Sequence, residues 1–201
     1  MKFYYIPGSS SLAVHIALIE AGVYFEPIRV DMVTKKLDDG SDFHVINHQG
    51  TVPVLEFENG ERLTEVAAVL QYVADLTPEK RLAPAGGTFE RSRLHESLGF
   101  IATEIHKSWS QVFNPRIDKS SKAIFVERLQ HKYGHLDSRL ANGGWVTGDS
   151  YSVADMYLFV TTSWRSFIPI DLPGLRHVDS FIQRMKERPA VQAAMKAEGL
   201  I

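Results

Sequence analysis

The 201-residue chain contains no cysteine. This excludes disulfides, catalysis by a protein thiol, iron–sulfur clusters and Cys-ligated zinc. It also has no run of about 18 apolar residues, so no helix is expected to cross a bilayer. Nor is there an excess of one charge. Lys and Arg number 22 against 24 Asp and Glu, which leaves a formal net charge of −2. Neither nucleic acid nor an anionic membrane is implied as an obligatory partner. The opening MKFYYIPG breaks at Pro7-Gly8, too early for the apolar run of a secretory leader, and a cytoplasmic location is the expectation. Metal-ligand patterns are poor as well. His44/His48 and His131/His135 have i, i+4 spacing, but no H-E-x-x-H pattern accompanies them, so no metal is expected.

What is present is an ordinary globular composition, 44% apolar and 23% charged, with enough length for a sizeable core. The first 76 or so residues alternate between strand and helix signals. Residues 2–6 are β-rich and end at Pro7-Gly8. Residues 11–21 place Leu12, Ile16 and Ile19 on one helical face, with Gly22 as C-cap. Residues 25–30 form a second strand, placed at a sheet edge by Pro27. After a polar span at 31–50, residues 52–57 and 61–63 flank Asn59-Gly60, a hairpin signal. Residues 65–76 are helical behind Thr64 as N-cap. The order β-α-β then β-β-α is that of a thioredoxin-like sheet, so an α/β domain is expected over 1–78. The Pro- and Gly-rich 77–88 reads as a linker. From 87 to 201 the pattern is helical, which predicts an all-α bundle domain. Within it, 89–113 keeps Ile101, Ile105 and Trp109 in register, and 119–141 carries Ile124, Leu129, Leu136 and Leu140. The most apolar helix, 152–167, opens with capping-box spacing at Ser152 and Asp155.

Four features carry possible chemistry. Ser9-Ser10-Ser11 opens the first helix, where hydroxyls either cap the helix or join its dipole in holding an anion. His15 lies one turn on, and no Ser/His/Asp triad can be read from the spacing. Val52-Pro53 permits a cis bond, with the Val52 backbone free to pair with an extended ligand. At the second helix, Glu65 can accept an ammonium while the N–H of Val66 meets a carboxylate. Gly99, Ala102, Thr103, His106, Ser110 and Phe113 form a helical stripe of their own, fit for a cleft wall or for ordinary packing.

Taken together, YYIPGSSSLAVHIAL, GTVPVLEFENGERLTE, IATEIHK, VADMYLF and RMKERPAVQAAMKAEGL resemble the cytosolic glutathione transferases, most of all the bacterial beta class. The resemblance runs over nearly the whole length. It implies a homodimer of two-domain chains. Glutathione would be co-substrate, with no other cofactor, and a hydrophobic electrophile would bind in a cleft between the domains. On this chain, Val52 before cis-Pro53 would pair with glutathione's cysteinyl backbone, and Glu65 and Val66 would hold its γ-glutamyl end. Lys35 and Lys107 would meet its carboxylates, and Glu104 would reach across the dimer interface. Ser10, Ser11 and His106 would serve the sulfur. Trp109, Phe113, Tyr157 and Trp164 would line the acceptor site. The chain departs from the beta pattern with Ser10 where the family has cysteine, and with Val66 and Gly99 nearby. A non-catalytic binder on the same fold is the alternative reading.

Overall fold

The computed structural model describes residues 1–168 and 170–201. They divide into two compact units, Met1–Leu82 with Arg188–Ile201, and Ala83–Glu187. From sequence, the last segment was grouped with the helical half; here Arg188–Ile201 packs into the first unit.

The first unit is built on a four-stranded sheet of β1 (Lys2–Tyr5), β2 (Glu26–Arg29), β3 (Val54–Glu56) and β4 (Arg62–Thr64) in the order β2-β1-β3-β4. β1 and β2 are parallel, Phe3 facing Pro27, and Pro27 lies on an edge strand as its missing N–H requires. β3 runs antiparallel to both β1 and β4, with Leu55 opposite Phe3 and Leu63. Side chains alternate across the sheet. Phe3 faces α1 (Ser11–Ala21), meeting His15, and α1 packs against α2 (Val66–Leu76) and α8 (Pro189–Ala197). The other face carries Tyr4 and Val54, which pack with Ile6, Val30 and Phe43. Residues 11–18 of α1 are all buried because sheet and helices surround them. Gly22 ends α1 in the left-handed region (φ 68°), which glycine adopts without a Cβ clash. The hairpin closes with Phe57 N–H donating to Glu61 C=O. The cap of α2 differs from expectation: Thr64 completes β4, and Glu65 stands at the N-cap position.

The second unit contains α3 (Phe89–Phe100), a π-turn (Ile101–His106), α4 (Lys107–Phe113), α5 (Lys119–Arg139), α6 (Val153–Ser163) and α7 (Arg176–Lys186). Residues 153–162 of α6 are all buried, as its composition predicts. Its cap forms as the spacing requires: the Asp155 carboxylate accepts from Ser152 N–H and Oγ and, beyond the cap, from Val146 N–H. On α5, Leu129, Tyr133 and Leu136 face inward. Ile124, grouped with the buried set on sequence, is exposed. The single helix expected over 89–113 is interrupted by the π-turn.

Candidate functional site

In the first unit the three serines are distinguished by what their hydroxyls meet. Ser11 is fully buried; its Oγ donates to Ile6 C=O (3.2 Å) and accepts from Ile6 N–H (3.2 Å). The Ser9 and Ser11 hydroxyls also meet at 2.8 Å, and either can donate. Ser9 Oγ in turn accepts from Ser11 N–H. Ser11 therefore braces the end of β1. Ser10 is 6% exposed, and its hydroxyl makes no capping or other hydrogen bond among the described residues. Of the three, only Ser10 has a hydroxyl outside this Ser9–Ser11–Ile6 network.

The loop carrying the serines is tied to α8. Gly8 N–H donates to Glu198 Oε2 (2.9 Å), and Glu198 Oε1 is 2.8 Å from His15 Nδ1. Both side chains are almost completely buried, and the imidazole is ringed by Phe3, Tyr5 and Phe25. His15 is thus engaged with a carboxylate rather than with a serine. Burial and the Glu198 charge raise the Tyr5 phenol above its usual value. Sequence reasoning passed over Glu198, since nothing local marks a pairing across 183 positions. Arg188 adds a second tie, donating from Nε and one terminal nitrogen to Glu20 Oε1.

Val52-Pro53 is cis. The N–H and C=O of Val52 have no partner among the described residues. Glu65 adopts φ 67°, uncommon for a residue with a Cβ, and its side chain is exposed at the start of α2. No side chain caps that helix, so its first N–H groups are left for another acceptor. Val66 is buried, with its bulk in the core. Lys35 also adopts a left-handed conformation (φ 54°), and its ammonium makes no ion pair among the described residues.

In the second unit, His106 ends the π-turn and lies in an aromatic cluster. Its ring centroid is 5.0 Å from Trp164, and Nδ1 is 2.7 Å from the Tyr157 hydroxyl. Phe113 continues the cluster between Trp164 and Trp109. Burial, helped by the charge of Lys107, pulls the imidazole down to about 4, so it is neutral at pH 7. His106 can therefore act as a neutral donor or acceptor but not as a cation. Trp109, expected on the acceptor wall, is fully buried instead, with Nε1–H donated to the Tyr133 hydroxyl (3.1 Å). It lies in the core with Ile101 and Ile105. Tyr157 and Trp164 are nearly buried, and Phe113 is the open member at 38% exposed. Glu104 is paired with Lys132 (2.7 Å), and Lys107 is exposed. Among the described residues no cluster of His, Asp and Glu could hold a metal ion, and no helix is long and apolar enough to cross a membrane.

Comparison with known proteins places these features in a family. Residues 9–76 match the model for the glutathione S-transferase N-terminal domain, and residues 103–198 match that for the C-terminal domain. The chain is 38% identical over 200 residues to "Glutathione S-transferase GstA" of Escherichia coli O157:H7, covering 100% of both. It is 49% identical to a glutathione transferase of Methylococcus capsulatus str. Bath whose crystal structure superposes with a TM-score of 0.96, covering 100% of this chain and 99% of that one. It is 40% identical to the bacterial beta class glutathione S-transferase of Sphingomonas chungbukensis, with a TM-score of 0.95 and complete coverage of both.

Proposed function

The chain belongs to the glutathione S-transferase family, and from that membership we propose that it transfers the thiol of glutathione to a hydrophobic electrophile, with Ser10 steadying the thiolate. The observation that carries this reading is the Ser10 hydroxyl, which alone among the three serines has no hydrogen-bond partner among the described residues. A thiol of pKa about 8.5 is only a few per cent ionised at pH 7, and a fall of roughly two units makes it mostly thiolate. A hydroxyl donor at the start of α1, aided by the helix dipole, favours the charged form. The thiol proton goes to solvent, the sulfur forms a bond to the electrophilic carbon, and the leaving group departs with its electron pair. The protein's part is electrostatic and orienting, with no covalent bond to the chain.

The remaining assignments follow the same reading. The unengaged N–H and C=O of Val52, beside Pro53, pair with the cysteinyl backbone of glutathione. The uncapped start of α2 at Val66 takes the γ-glutamyl carboxylate, and Glu65 takes the adjacent ammonium. Lys35 and Lys107 meet carboxylates. Ser11 acts through the backbone it braces. His106 supplies a second, neutral donor to the sulfur. Phe113, with the edges of Tyr157 and Trp164, receives the acceptor. In a homodimer, Glu104 serves the partner's glutathione, sharing its charge with Lys132. Glutathione is the co-substrate, no resident cofactor is invoked, and the setting is the cytoplasm.

Retention on immobilised glutathione, with conjugation of glutathione to an activated aryl halide, tests the reading. Elution by free glutathione and turnover are expected. No retention, no turnover and no thermal shift at millimolar glutathione would sink it in favour of a non-catalytic binder on this fold.

A further inference from the structure

His106 has two ring nitrogens, and when the ring is neutral only the one carrying the proton can donate. Which one carries it is decided within the second unit. Ile101, Ile105 and Trp109 recur every four residues and all are fully buried. On an α-helix of 3.6 residues per turn that spacing drifts by about 40° at each repeat. The wider turn at Ile101–His106 takes up the drift, holding these side chains in the core and fixing the direction in which His106 leaves the helix. Hydroxyls supply extra partners to backbone carbonyls along the stretch: Thr103 Oγ1 to Gly99 (3.0 Å), Ser108 Oγ to Glu104 (2.6 Å) and Ser110 Oγ to His106 (3.2 Å).

This backbone seats His106 edge-on against Tyr157, at 89° between ring planes and with Nδ1 2.7 Å from the phenol oxygen. Tyr157 is 2% exposed on the buried helix α6, so the phenol is held in place. Between a phenol and a neutral imidazole, the phenol O–H is the stronger donor and the bare ring nitrogen the stronger acceptor. A separation of 2.7 Å matches donation from a hydroxyl. The imidazole is kept neutral by burial and by the neighbouring Lys107 charge.

We propose that Tyr157 is a positioning residue: its hydroxyl donates to His106 Nδ1 and so fixes the imidazole as the Nε2–H tautomer, leaving Nε2–H as the donor offered to the glutathione thiolate. Only that last step rests on the transferase reading; the tautomer belongs to the second unit alone. Tyr157 is therefore more than a wall of the acceptor site, since it determines which atom of His106 can act.

The test is 15N NMR of histidine-labelled protein near pH 7, with His106→Gln assigning the signal and glutathione turnover measured in parallel. Wild type is expected to show His106 as a single Nε2–H tautomer. Tyr157→Phe keeps the ring and removes the donor; the His106 signal should shift toward a mixture of tautomers. In this variant kcat should fall about tenfold, the worth of one hydrogen bond, while KM for glutathione stays within twofold. A wild-type Nδ1–H tautomer, or an unchanged His106 signal in Tyr157→Phe, overturns the proposal. A shifted signal with unchanged kcat supports the tautomer assignment and removes His106 from the thiol, a failure of the activity reading alone. Should Tyr157→Phe fail to fold, the wild-type spectrum still decides the tautomer.

Discussion

Replacing Ser10 and Ser11 one at a time by alanine should separate chemistry from scaffold. Ser10 Oγ has no hydrogen-bond partner among the described residues, so Ser10→Ala takes no partner from a buried group there, and the unfolding midpoint should stay within about 1 °C. What it removes is a hydrogen bond to a charged acceptor, worth about 1.5–3 kcal/mol. At 1.36 kcal/mol per tenfold, kcat/KM at pH 7 should fall between about 10- and 150-fold. The pKa of the bound thiol should rise by about one to two units, so the deficit should shrink as the pH approaches 9. Ser11→Ala should do the reverse. It strips the partner from the buried N–H of Ile6, costing about 1–3 kcal/mol when left unmade, while Ile6 C=O keeps Ser9 N–H. Its midpoint should drop by several degrees, while kcat per folded molecule stays within about twofold of wild type. The assays are aryl halide conjugation against pH, the ultraviolet absorbance of bound thiolate, and thermal unfolding. Full activity in Ser10→Ala, or a Ser11→Ala protein that is inactive yet as stable as wild type, would refute this division of roles.

Three further outcomes follow from other parts of the molecule. Gly99 lies inside α3, and a Cβ added there meets nothing within 4 Å, so Gly99→Ala should stabilise the protein by about 0.5–1 kcal/mol, read as a higher urea midpoint. His106 is held near 4 by burial, against 6.5 when exposed, so the unfolded chain binds the extra proton first as pH falls. Stability should therefore be lost from pH 6.5 down to about 4, by about 3 kcal/mol from this group, and urea titrations of His106→Gln should lack that component. Glu198→Ala should cost about 1–3 kcal/mol, because it takes the carboxylate partner from buried His15; an unchanged denaturant midpoint would contradict the tether described for the serine loop.

Features set by neighbouring residues were legible in the sequence. Gly22 as C-cap, the Asn59-Gly60 hairpin, the edge position of Pro27 and the Ser152–Asp155 cap depend on spans of a few residues, where local conformational preference decides. The buried face of α6 was legible because its apolar run leaves no polar side. The π-turn was not. Ile101, Ile105 and Trp109 fit a helical stripe at spacing four, and only packing on both sides shows that the turn widens to align them. The burial of Trp109 agrees with its register beside Ile101 and Ile105; its place on the acceptor wall came from the family resemblance alone. Serine types alone could not rank Ser9, Ser10 and Ser11, because the ranking comes from the contacts that Ser9 and Ser11 make with each other and with Ile6. The Glu198 contacts lay furthest from reach, joining an ordinary-looking acidic residue near one end of the chain to a loop near the other.

That last link bears on how the chain is made. The turn bearing Ser10 is synthesised first, but its anchor, Glu198, lies on the far side of the whole second unit. At about 5–20 residues per second, the hundred or so residues between Leu82 and Arg188 take roughly 5–20 s to emerge. Throughout that interval the nascent sheet exposes the surface of α1 that α8 will cover. A chain released before that helix would carry every proposed active-site residue and still lack the strut that sets the serine loop.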